Sequence, residues 1–100
     1  MPREDERVPY YTEIMLESAA GMRGARISDV SPGGCYVDTI SPAIEGEEIS
    51  FQFRNPKDSK LKFTGMVAYV MPNLGFGIKF TDLTDEHKAA IDEIIKIAGK

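Results

Sequence analysis

Two short runs of alternating apolar and polar residues constrain the fold of this chain more than any other feature. Residues 49–54 read ISFQFR and residues 76–81 read FGIKFT. Successive side chains of a β-strand point to opposite faces, so a period of two indicates strands with one buried face. Four less regular candidates bring the predicted strands to about six, at 12–17, 25–30, 35–39 and 61–71.

Polar segments separate these strands, and the chain closes with a helical pattern. Segments 55–59 (NPKDS) and 72–75 (PNLG) suit hairpin loops, so we expect antiparallel neighbours. From Thr84 onward the apolar residues recur at helical spacing, in the stripe Ile91, Ile94, Ile95 and Ala98.

Short strands at this spacing are typical of an antiparallel barrel or sandwich. In a barrel, we expect this amphipathic helix to close one end. Asp82 or Thr84 would cap its N-terminus, and Gly99 would end it.

Composition limits the function classes. Twelve basic against 16 acidic residues give a net charge of −4 in a chain of 100 residues, which disfavours binding of DNA or RNA through a general basic field. One His and one Cys provide neither a zinc cluster nor a Cys/His pair, so we expect no metal, no cofactor and no enzymatic activity. The single Cys35, a charged N-terminus and the lack of a long apolar run predict one cytoplasmic domain without membrane insertion.

Two polar clusters carry the chemistry. The first is Arg3-Glu-Asp-Glu-Arg7, with two guanidinium groups four residues apart. A guanidinium group clamps phosphate, pairs with the O6 and N7 edge of guanine, and stacks on a base.

The second cluster is the turn Asp29-Val-Ser31-Pro-Gly33-Gly34. Asp29 can accept hydrogen bonds from N1 and N2 of guanine, and Ser31 can donate to a phosphate or base acceptor. The paired glycines permit a close approach that a Cβ would obstruct. The two clusters together predict a guanine-nucleotide site.

In this order, the motifs RxxxR (Arg3, Arg7) and DxSxxG (Asp29, Ser31, Gly34) resemble those of PilZ domains. The segments GMVAY at 65–69 and GFGIKF at 75–80, followed by a helix, are also similar to that family, so the resemblance covers nearly the whole chain. It implies a mainly all-β fold, a six-stranded antiparallel β-barrel with a C-terminal α-helix. We assign residues 1–10 to an arm that carries RxxxR and residues 11–100 to the barrel and helix.

The resemblance also implies that the ligand is the bacterial second messenger cyclic di-GMP. The arm would wrap the ligand, with Arg3 and Arg7 as clamps and with Asp29 and Ser31 contacting base and phosphate. The turn would be formed by Gly33 and Gly34. Additional contacts are predicted at Tyr69, which would stack on the ligand, and at Lys79, which would meet a phosphate.

Binding would order the arm and change the surface that an effector protein meets in trans, and the domain would be a monomer or a homodimer. The alternative within the family is a ligand-independent adaptor in motility or pilus assembly. A third class, a small barrel that binds single-stranded nucleic acid, would need a basic groove, which the net charge disfavours.

Each residue also has a simpler structural interpretation. The arginines would then be a solvated tail, and Asp29 and Ser31 would bond to nearby backbone in an ordinary turn. Tyr69 would pack its ring on a strand. We expect His87 at the solvated surface, and Cys35, Met66, Met71 and the phenylalanines in the core.

Overall fold

The computed structural model describes residues 7–19, 21–40, 43–54 and 60–98. In these ranges the chain forms six strands and one helix: β1 (Val8–Ser18), β2 (Gly21–Ser31), β3 (Gly34–Asp38), β4 (Glu48–Arg54), β5 (Lys60–Met71), β6 (Gly75–Thr81) and α1 (Asp85–Ala98). All predicted strands are present, and most extend further than the alternation indicated. Residues 8–10, which the sequence analysis assigned to the arm, lie in β1.

The strands form a closed barrel in the order β1-β2-β3-β6-β5-β4, and all neighbours are antiparallel. Pairing of Leu16 with Phe51 joins β1 to β4 and closes the barrel. The hairpin predicted at 72–75 is confirmed, since the Leu74 N–H donates to the Met71 carbonyl at 3.0 Å between β5 and β6. The hairpin predicted at 55–59 lies outside the described residues.

Aromatic side chains fill the barrel. Phe51, Phe63 and Phe76 are no more than 1% exposed, and the rings of Phe51 and Phe63 stack with centroids 5.9 Å apart. Ile91 and Ile94 of α1 join this core cluster, so the apolar stripe of the helix packs on the barrel as the period predicted.

Met66 and Met71 were expected in the core, but both side chains are exposed. In β5 the buried residues Phe63 and Val67 occupy inward positions, which places Met66 on the outer face. A register shift between Val67 and Tyr69 then reverses the alternation, so that Met71 also faces outward.

The helix begins at a capped N-terminus. The Thr84 hydroxyl accepts the His87 N–H at 3.2 Å, so Thr84 is the cap and Asp82 is not. The predicted end at Gly99 lies outside the described residues.

His87 is not the solvated surface residue that the sequence predicted. Its Nε2 lies 2.8 Å from the Lys62 carbonyl, its Nδ1 accepts the Thr84 N–H at 3.0 Å, and its ring packs on Phe63 with centroids 4.5 Å apart. Because a carbonyl only accepts, Nε2 carries the proton and Nδ1 is free to accept. His87 therefore fastens the start of α1 to β5.

Candidate functional site

An ion pair between the two sequence motifs marks the candidate site. The Arg7 Nη1 atom donates to Asp29 Oδ1 at 2.7 Å, and the two residues are 22 positions apart in the chain. Arg7 directly precedes β1, and the neighbouring pairs Val8–Val30 and Pro9–Asp29 hold the start of β1 beside the end of β2. Antiparallel pairing thus brings the second arginine of RxxxR onto the first residue of DxSxxG.

Tyr69 of β5 makes a second contact with Arg7. Its hydroxyl lies 3.4 Å from Arg7 Nη2, although 62 positions separate the two residues in the chain. The guanidinium group thus donates to a carboxylate through one terminal nitrogen and to a phenol through the other. Of the predicted site residues, Arg7, Asp29 and Tyr69 therefore lie in direct contact.

Two β-bulges turn Asp29 and Tyr69 outward. Asp29 follows buried Ile27 by two residues, and Tyr69 follows buried Val67 by two, so regular alternation would place both polar side chains inside the barrel. The register of β2 on β3 shifts between Ile27 and Asp29, and that of β5 on β6 shifts between Val67 and Tyr69. An extra residue in a strand reverses the inward and outward alternation of the residues after it, so both side chains lie on the outer surface.

The site residues occupy one row across four adjacent strands. Asp29 pairs with Tyr36, Tyr36 pairs with Gly77, and Gly77 pairs with Tyr69. The rings of Tyr36 and Tyr69 stack with centroids 6.2 Å apart and an interplanar angle of 29°. A pair of aromatic rings therefore lies beside the Arg7–Asp29 ion pair on the barrel surface.

Gly77 makes room for this arrangement. A Cβ at this position would overlap the ring of Tyr69. Glycine inside a strand weakens the strand and often marks a close approach by another group. Here the approaching group is the Tyr69 ring, which leans across β6 toward β3.

The DxSxxG turn is held by its own hydroxyl and by β6. Ser31 is buried, and its hydroxyl donates to the Gly34 carbonyl and accepts the Gly34 N–H, each at 3.2 Å. The Gly33 carbonyl accepts the Phe80 N–H at 2.9 Å. A Cβ on Gly34 would overlap the backbone carbonyl of Ile78, so the close approach predicted for the glycines is present at Gly34.

The Ser31 hydroxyl is therefore engaged within the turn, as in its simpler interpretation, and Asp29 is the partly exposed acceptor of the motif. Lys79 lies on the outer face of β6, paired with Gly34, and lines a groove with Pro32 and Gly33. Arg3, the first arginine of RxxxR, lies outside the described residues.

The electrostatics of the site follow from this packing. Partial burial opposes the charge of Arg7, but the hydrogen bond and the ion pair with Asp29 outweigh it and raise the pKa of the guanidinium group. Partial burial raises the pKa of the Tyr36 phenol, and the nearby Asp38 carboxylate adds to the effect. The arginine is thus charged and the tyrosine is neutral at physiological pH.

Other reactive groups lie apart from this site. Cys35 is fully buried in β3, and burial raises the pKa of its thiol, so its expected place in the core is confirmed. In the described ranges no group of three or more His, Cys, Asp and Glu side chains is arranged to hold a metal ion. The same ranges contain no helix with the length and apolarity of a membrane span.

Sequence reasoning missed Tyr36 and Gly77. Both carried a detectable signal, because Tyr36 follows Gly34 by two residues and must share its face of β3, and Gly77 interrupts an apolar strand. Their pairing across β3 and β6 was not accessible, since it depends on a strand order that departs from the chain order.

Comparison with known proteins agrees with this architecture. The PilZ domain of CeSA from a cellulose-synthesizing bacterium superposes with a TM-score of 0.70 at 16% identity, over 95% of this chain and 96% of that chain. The Borreliella burgdorferi PlzA protein, solved in complex with c-di-GMP, superposes with a TM-score of 0.72 at 16% identity, over 92% of this chain. The match spans 40% of the PlzA chain.

No curated protein matches the sequence. A family model, described as PilZ domain, matches residues 2–96. The chain therefore belongs to the PilZ domain family.

Proposed function

We propose that this domain is a receptor for cyclic di-GMP that signals without making or breaking a covalent bond. The observation that carries the proposal is the contact of Arg7 with both Asp29 and Tyr69 on the outer barrel surface. A guanidinium fork, a carboxylate and an aromatic ring are the groups that recognise phosphate, the donor edge of guanine and the face of a base. The solved complex of PlzA with c-di-GMP, on the same fold, supports this choice of ligand.

In this proposal Asp29 accepts the N1–H and N2–H donors of a guanine. Arg7 uses one position on Oδ1, and an ionised carboxylate has about four lone-pair sites, so the same group retains capacity for the base. Arg7 fixes the direction of the carboxylate and keeps a positive charge beside it for a ligand phosphate. Arg3 would supply a second clamp, Tyr69 would stack on a base, and Lys79 would meet a phosphate.

Ser31, Gly33 and Gly34 contribute through the turn. The Ser31 hydroxyl and the Gly33 carbonyl hold this turn against β6, so the backbone that carries Asp29 is rigid before the ligand arrives. A preorganised site loses less entropy on binding than a flexible one.

Signalling would follow from ordering of the RxxxR segment over the ligand. The ordered segment would present a new surface to an effector protein in trans, in the cytoplasm, from a monomeric or homodimeric domain. The DxSxxG turn and the end of β2 would form the rest of that surface.

Calorimetric titration of the chain with cyclic di-GMP at physiological salt tests the proposal. We expect saturable binding that is selective over cyclic di-AMP and GMP, because adenine lacks the guanine donor edge and GMP lacks the second nucleotide. Absence of heat together with no thermal stabilisation at high ligand concentration would overturn it.

A ligand-independent adaptor is the second candidate. It is favoured by the apolar side chains Ile40, Ile44 and Leu74, which are 86%, 74% and 62% exposed in the β3–β4 loop and the β5–β6 hairpin. An unaltered chain that gives no binding heat with cyclic di-GMP but binds a partner protein, with that binding lost in Ile40→Asp, would favour this candidate.

A further inference from the structure

We infer that Tyr36, which belongs to neither sequence motif, is a ligand-contacting residue that takes the flat face of a purine base, and that Gly77 positions Tyr69 beside it. This inference rests on the proposed function and names a further part of the same site. The aromatic shelf, defined as the rings of Tyr36 and Tyr69, is the structure that would do this.

The shelf lies where a base held by Asp29 would extend. Tyr36 is the cross-strand partner of Asp29, so the two side chains leave adjacent strands on the same outer face. Asp29 has a cross-strand neighbour on each side, Pro9 on β1 and Tyr36 on β3. Of these two, Tyr36 offers an aromatic face on which the ring system of a guanine held by the carboxylate can stack.

The core does not account for the shelf. Within the described part of the chain, neither Tyr36 nor Tyr69 belongs to the buried hydrophobic core or to the partly buried side chains that pack against it. Tyr69 is 37% exposed. Two large rings at the outer surface, beside an ion pair and away from the core, fit a stacking platform better than a packing role.

Gly77 is the second observation. A Cβ at residue 77 would overlap the Tyr69 ring, and β6 has glycine at this position, which the ring covers. The bulge before Tyr69 and the glycine beneath it act together, since the bulge turns the ring outward and the glycine lets it lie across β6. Both features weaken a regular sheet and direct one ring toward Tyr36 and Arg7.

Tyr36→Leu and Tyr36→Phe, titrated with cyclic di-GMP beside the unaltered chain, test the inference. Loss of one base–aromatic contact weakens binding about 5- to 150-fold, and we expect this for Tyr36→Leu. Tyr36→Phe keeps the ring face, so its affinity should stay within about twofold of the unaltered protein. Tyr11→Leu is the matched control, because Tyr11 is 66% exposed on β1 and lies against Arg26 instead.

Tyrosine fluorescence separates stacking from a structural role. The chain has four tyrosines and no tryptophan, so a base stacked on Tyr36 should quench part of the emission at saturation. Tyr36→Phe should bind normally and show less quenching, which loss of stability alone would not produce. Unchanged affinity in Tyr36→Leu, or unchanged quenching in Tyr36→Phe, would overturn the inference.

Gly77→Ala tests the positioning role, with Gly24→Ala as its control. A Cβ at Gly24 would meet nothing within 4 Å, whereas one at Gly77 must displace the Tyr69 ring. We expect weaker binding in Gly77→Ala alone, at an unfolding temperature that shows a folded domain. Equal affinity in the two variants would remove Gly77 from the site.

The outcomes distinguish the inference from the proposed function. If the unaltered chain does not bind cyclic di-GMP, the proposed function fails and the aromatic shelf fails with it. If the unaltered chain binds and Tyr36→Leu binds equally well, the shelf alone fails.

Discussion

Replacement of Arg7 by alanine should reduce ligand affinity far more than it reduces stability. The ion pair with Asp29 is short, at 2.7 Å, but the two side chains are 44% and 31% exposed. An ion pair with this much solvent contact contributes about 0.2–1 kcal/mol to folding. For a domain of this size, such a loss lowers the unfolding temperature by no more than about 8 °C.

The cost to binding is larger because the guanidinium group would meet a charged ligand. A hydrogen bond to a charged group such as a ligand phosphate contributes about 1.5–3 kcal/mol, which corresponds to an affinity loss of about 10- to 150-fold. Removal of Arg7 also frees the Asp29 carboxylate, whose charge would then repel the ligand phosphates. The expected signature is therefore a large change in affinity with a small change in stability.

The barrel offers a matched control in a second arginine–aspartate pair. Arg26 and Asp38 are 3.3 Å apart on β2 and β3, with side chains 56% and 38% exposed. Arg26→Ala should cost a similar or smaller amount of stability and leave binding unchanged.

Two measurements on both variants decide the question. Thermal unfolding reports stability, and calorimetric titration with cyclic di-GMP at about 0.15 M salt reports affinity under physiological screening. Normal affinity in a folded Arg7→Ala protein would refute the proposed site. An equal loss of affinity in Arg26→Ala would show that affinity depends on the net charge of the domain and not on a contact of Arg7 with the ligand.

Two further predictions concern the scaffold. Gly34→Ala should destabilise the fold by about 1–3 kcal/mol, since its Cβ overlaps the Ile78 carbonyl and β3 must shift against β6; urea unfolding measures this, and an unchanged midpoint would contradict it. Thr84→Ala should cost about 1 kcal/mol, because the His87 N–H loses its cap, whereas Thr84→Ser should be nearly neutral. Equal thermal stability of the alanine and serine variants would argue against the cap.

Much of the architecture was predictable from local pattern. The alternation in 49–54 and 76–81 identified two strands, and the stripe of Ile91 and Ile94 identified the helix. Apolar side chains from the two strands and from the helix pack together in the core, as expected. These predictions succeeded because period and burial are linked within a single element.

Predictions about single side chains were less reliable where a residue depends on a partner elsewhere in the chain. His87 was expected in solvent because its neighbours in sequence are acidic, but Lys62 and Phe63 of β5 hold it. Met66 and Met71 were expected in the core because they are apolar, but Met66 has the outward phase of β5 and the register shift after Val67 turns Met71 outward.

By itself, the sequence determined which groups were available for a guanine-nucleotide site and the type of scaffold that would carry them. The tertiary structure decided where two of those groups point. By alternation alone, Asp29 would point inward like Ile27, and Tyr69 would point inward like Val67. A bulge between Ile27 and Asp29 and another between Val67 and Tyr69 turn the two polar side chains outward. A bulge exists only relative to a paired strand, so its position depends on contacts far apart in the chain. The same long-range pairing set Tyr36 and Gly77 between the two.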